Sequence, residues 1–111
     1  MSVIDKATFD ELKQMSGEDF INELIDAFLE EGPNMLTNLQ TAYEAKDIQS
    51  FRRNAHSLKS NANTFGATEL ANQAKDLEYM SREKNLDIGD RLEKLKYAFS
   101  AAATELKEMR V

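Results

Sequence analysis

The sequence predicts an all-α protein: an antiparallel up-and-down four-helix bundle with a short extra helix at the N-terminus. Three observations carry that expectation. No period-two run of β-branched residues bounded by turns occurs, whereas apolar residues recur at helical spacing from end to end. One proline and four glycines punctuate 111 residues, so breaks are few. Four long amphipathic stretches are joined by short polar connections, the pattern of helices that reverse direction one after another. The length suits a single domain with a single core, residues 1–111.

The elements follow in order. Phe9 and Leu12 have helical spacing after Thr8, read as a cap, and Gly17 ends this short leading helix, which covers one end of the bundle. Phe20, Ile21, Leu24, Ile25, Phe28 and Leu29 give the next helix a broad apolar face, continued by Met35, Leu36, Leu39 and Tyr43 to about Lys46. Gly32-Pro33 lies between the two runs and predicts a bend, with a break as the other reading, because proline removes one backbone hydrogen bond and crowds the preceding turn. Asp47 caps a third helix in which Phe51, Ala55, Leu58, Ala62 and Phe65 form the core face; Gly66 closes it, where a left-handed residue is wanted. Leu70, Ala74 and Leu77 mark a fourth helix to about Arg82, and Glu83 to Asp87 read as a polar connection. The last helix begins at Ile88 and carries Leu92, Leu95, Phe99, Ala102, Leu106 and Met109, four and three apart. That spacing reads as core; a coiled-coil partner is the other reading.

Composition narrows the function. The chain holds no apolar run near the roughly 20 residues a bilayer span needs, and Met-Ser-Val-Ile-Asp is not a signal-peptide start, so a soluble, unsecreted, cytoplasmic segment is expected. Without cysteine there is neither a disulfide framework nor thiol chemistry. A net charge of −6 argues against nucleic acid, whose phosphates call for a lysine and arginine surface.

The one histidine is the candidate reactive group. It sits in Arg53-Asn54-Ala55-His56-Ser57-Leu58-Lys59-Ser60, with Gly66 ten residues on. At about 100° per residue His56 lies roughly 140° from the core-facing Phe51, so the imidazole points to solvent. Arg52, Lys59 and Asn63 fall on the same side, and Ser60 is one turn away. A neutral imidazole is a good nitrogen nucleophile near neutral pH, and a neighbouring ammonium stabilises a phosphoryl group bound to it.

The segment Ala55-His56-Ser57-Leu58-Lys59-Ser60 with Gly66 resembles the signature of histidine-containing phosphotransfer (HPt) domains of two-component relays. There a small residue, histidine, any residue, leucine, lysine and glycine are followed by a downstream glycine. Phe20 through Leu29 and Leu70 through Glu78 resemble the family's helices before and after the histidine, so the likeness covers nearly the whole chain. It implies a four-helix bundle whose exposed histidine takes a phosphoryl group from a receiver-domain aspartate and passes it to another receiver. By that resemblance His56 is the phosphoacceptor and Lys59 the electrostatic aid, while Ser60 keeps clearance for the partner and Gly66 ends the helix. Ser60 departs from the family's usual glycine while keeping most of its space. Arg52, Ser60 and Asn63 are the expected partner contacts. The partners are receiver domains of response regulators or hybrid sensor kinases, which bring the Mg²⁺; the chain needs no cofactor of its own and works as a monomer.

Other chemistries lack their parts. The glycines at 17, 32, 66 and 89 are too scattered for an ATP-cradling loop, so no autonomous kinase activity is expected. Ser57 and Ser60 beside His56 on an exposed helix offer no oxyanion hole for a hydrolase. One histidine without cysteine is a poor metal site, as no carboxylates converge on it in sequence. Arg52 and Arg53 read equally as a phosphate-attracting edge or as solubilising charges. The competing function is a helical docking module in which His56 does no chemistry.

Overall fold

A computed structural model of the chain describes residues 3–110; Met1, Ser2 and Val111, included in the single-domain reading, lie outside the described residues. The order is α1 (Lys6–Ser16), α2 (Glu18–Ala45), α3 (Ile48–Phe65), α4 (Thr68–Arg82) and α5 (Arg91–Glu108), with no strand among the described residues. Helices α2 to α5 close a ring of neighbours, α2 on α3, α3 on α4, α4 on α5 and α5 back on α2, and α1 lies on α2 and α3. Their facing stripes form one apolar core. The five residues expected to face inward from α3 are all buried, as are Leu70, Ala74 and Leu77 of α4.

The caps fix where α3 sits. The Asp47 carboxylate accepts the Ser50 N–H at 3.2 Å at its start. At its end Gly66, with φ +81°, lets the Ala67 N–H reach Ala62 O at 2.8 Å and closes a Schellman turn. Gly66 is needed twice over. The Asp5 N–H donates to Gly66 O at 2.7 Å, and a Cβ there would stand 2.8 Å from Asp5 O. So the chain's start is tied to the end of α3, and α1 covers that end of the bundle.

Two expectations need correction, the cap of α1 and the start of α5. Thr8 is not the cap of α1; Asp5 holds that position, and Thr8 lies within the helix, its hydroxyl donating to the Asp5 carboxylate at 2.5 Å. Helix α2 runs unbroken through Pro33, which faces solvent, where water can satisfy the carbonyl it leaves unpaired. Beside it Gly32 is buried against α5: a Cβ there would meet the Phe99 ring at 2.2 Å, so glycine permits the close approach of these helices. Finally, Ile88 is buried but precedes α5, because the chain turns at Gly89, φ +58°, and the helix starts at Arg91.

Candidate functional site

His56 projects from the outer side of α3 with its side chain 56% exposed. Its imidazole nonetheless has a firm anchor: Nδ1 lies 2.6 Å from Oε2 of Glu78 on α4. The other carboxylate oxygen, Oε1, accepts from Lys59 Nζ at 2.5 Å, and the Arg82 guanidinium stands 3.4 Å from Oε2. Glu78 is only 5% exposed. A carboxylate so deeply buried persists in charged form only with partners, and here one cation and one imidazole sit directly on it. Burial pushes its pKa up, but the hydrogen bonds and charges of Lys59 and His56 outweigh this and hold the carboxyl below its ordinary value of 4.5.

The ionised carboxylate sets the imidazole's protonation pattern. An ionised carboxylate only accepts, so Nδ1 must carry the proton of the contact. In the neutral ring Nε2 then holds the lone pair. On one side of the ring is a recess lined by Gln49, Arg52, Arg53, His56, Glu78 and Arg82. Three arginines therefore line a recess beside an oriented imidazole, in a protein whose net charge is −6.

The predicted residues divide three ways. His56 and Arg52 are exposed and meet at the recess. Ser60 and Asn63 are exposed further along α3, and Gly66 is the helix end described above. Lys59 differs from expectation: its side chain is 22% exposed, not a free surface ammonium, because its stem follows the α3–α4 seam to reach Glu78. The expectation that no carboxylate meets His56 is likewise corrected by Glu78, although among the described residues no group of three or more ligating side chains gathers as a metal site would require.

Glu78 and Arg82 are what the sequence reading missed. The signal was available in the topology. Helices α3 and α4 form a hairpin turning at Ala67, and residues 56 and 78 stand eleven positions on either side of it. Antiparallel neighbours equidistant from a turn share a level of the bundle. Glu78 also borders Leu77 at the edge of the buried face, a place where a carboxylate calls for a partner.

Comparison with known proteins agrees with this geometry. Residues 23–109 match the model of the Hpt domain family. The crystal structure of histidine-containing phosphotransfer protein B (HptB) from Pseudomonas aeruginosa PAO1 superposes with a TM-score of 0.90, at 27% identity over 96% of this chain and 93% of that one. Multistep phosphorelay regulator 1 of Schizosaccharomyces pombe is 30% identical over 71 residues, which are 61% of this chain and 24% of the regulator. The chain thus spans about a quarter of that larger protein's length. An all-helical bundle, an exposed histidine on its third helix and a family match across most of the sequence lead to one conclusion: the chain belongs to the Hpt domain family.

Proposed function

We propose that His56 is the phosphoacceptor, taking the phosphoryl group on Nε2 from the aspartate of one receiver domain and passing it to another. The observation that carries this reading is the 2.6 Å contact of Nδ1 with a buried, ionised carboxylate, which leaves Nε2 as the free nucleophile on a half-exposed ring. Reaction is an in-line displacement: the Nε2 lone pair attacks phosphorus as the bond to the aspartate oxygen breaks. The receiver supplies the Mg²⁺ and the acidic pocket in which the phosphoryl group arrives.

Positive charge stands ready on this side. Lys59 favours the phosphoryl anion through its charge on the strip, while its ammonium holds Glu78 in place. Arg52 lines the recess, and Ser60 and Asn63 extend the exposed face along which a receiver would lie. A small residue at position 60 leaves clearance one turn from the imidazole. Since charge gives orientation and on-rate more than lasting affinity, a receiver also needs apolar contact. The reading carries with it a cytoplasmic, monomeric protein with no nucleic-acid partner. Replacing His56 by glutamine keeps the bulk of the ring and removes the nucleophile. The variant is expected to take no label from a phosphorylated receiver that labels the wild type fully; retained labelling would refute the assignment.

A further inference from the structure

Given His56 as the phosphoacceptor, the residue behind it acquires a role beyond orientation. We propose that Glu78 keeps the proton on Nδ1 of His56 throughout the transfer, so that the phosphorylated ring is an imidazolium paired with a carboxylate and the relay step neither releases nor takes up a proton.

The atoms balance simply. Before transfer the ring is neutral, with hydrogen on Nδ1 and a lone pair on Nε2. Attack forms the N–P bond and breaks the P–O bond to the donor aspartate, whose oxygen keeps that electron pair as carboxylate. The ring gains one positive charge and needs to lose nothing. On passing the group onward, the N–P electrons return to Nε2 and the departing group is a neutral imidazole. Had Nδ1 lost its proton in between, the departing group would be an imidazolate, a far poorer one. Whatever holds that proton in place therefore keeps the phosphoryl group ready to leave.

Glu78 is built for this task. Both of its oxygens are engaged, Oε2 by His56 and Oε1 by Lys59, so the carboxylate cannot turn away as the ring becomes charged. The Glu78 side chain is only 5% exposed, so the carboxylate meets the half-exposed ring from the buried side. The other charged groups facing the ring or the carboxylate are Lys59, Arg52 and Arg53 from α3 and Arg82 from α4. All four are positive and oppose a second charge on the imidazole, which makes Glu78 the group that permits it. A glutamine of the same shape could accept the Nδ1 hydrogen bond but could not balance the charge.

The test uses the full chain, wild type and Glu78→Gln, charged through a receiver domain that phosphorylates the wild type. Transfer from the phosphorylated chain back to that receiver is followed from roughly pH 6 to pH 9. Because transfer runs through the protonated ring, the wild-type rate should hold to higher pH, and Glu78→Gln should lose rate at least about one pH unit earlier. Glu78→Asp, which restores the charge, should recover part of the range. In parallel, ¹⁵N NMR of ring-labelled wild type should show the Nδ1 of phosphohistidine protonated at about pH 8, and this needs no variant to fold. Superimposable pH profiles, or an unprotonated Nδ1 in the wild type, would overturn the proposal while leaving His56 as phosphoacceptor. A wild type that carries no phosphohistidine at all would remove both.

Discussion

Two seams of this bundle solve opposite problems. Along α2 and α5 the helices meet through the absence of a side chain, Gly32 against the ring of Phe99 within the apolar core. Along α3 and α4 they meet through Glu78, a charge at a position where a hydrophobic residue would pack without further support. The first seam depends on shape and the second on partners. On the proposed function, stability and chemistry lie at different edges of the same small core, so substitutions should separate them.

The largest effect is expected on the apolar seam. Phe99 is 6% exposed and tilts against Phe28 at 5.3 Å, which in turn meets Phe65 at 5.2 Å. Phe99→Ala should cost about 3–5 kcal/mol in urea denaturation. Gly32→Ala, which drives a methyl into that ring, should cost about 1–3 kcal/mol, and combination with Phe99→Leu should recover part of it. Phosphoryl acceptance per folded molecule should be unchanged in Gly32→Ala. A loss of acceptance with stability intact would erase the division between the seams.

On the polar seam the prediction concerns pH. Glu78 has a folded pKa below its ordinary value of 4.5, so its stabilising contribution is fully present above that value and is lost as pH falls through the lower, folded one. The difference in denaturation midpoint between wild type and Glu78→Gln should therefore shrink on acidification below about pH 4.5. A gap that widened in acid would reverse the sign assigned here.

The smallest effect is expected at Ser60. Glycine, the family's usual residue, should lower stability by about 0.5 kcal/mol because position 60 lies within exposed helix. Thermal melts resolve a change of that size. A substantial stabilisation would mean that the serine is strained.

Much of this was legible in the sequence, for reasons that also mark the limits. The inward face of α3 could be read because five apolar residues at helical spacing admit one face, and that face turned His56 outward. Periodicity says nothing of polar residues that cross a seam. It marks Glu78 only as the edge of the α4 stripe and leaves Lys59 free, whereas the hairpin at Ala67 brings α3 and α4 together so that the lysine reaches the carboxylate. Ile88 was drawn into α5 because its spacing fits, yet spacing cannot see the turn at Gly89. The left-handed helix ends at Lys46 and Lys84 were hidden too, since lysine carries no mark of the conformation that glycine announces at position 66.

On the proposed function His56, held by Glu78, carries the phosphoryl group. ³¹P NMR of the wild-type chain and His56→Gln, each mixed with a catalytic amount of a receiver domain, Mg²⁺ and a small phosphodonor, tests it most directly. A phosphohistidine resonance is expected in the wild type and none in His56→Gln. No resonance in the wild type with several receivers that charge normally would contradict it and leave a docking module whose histidine is inert.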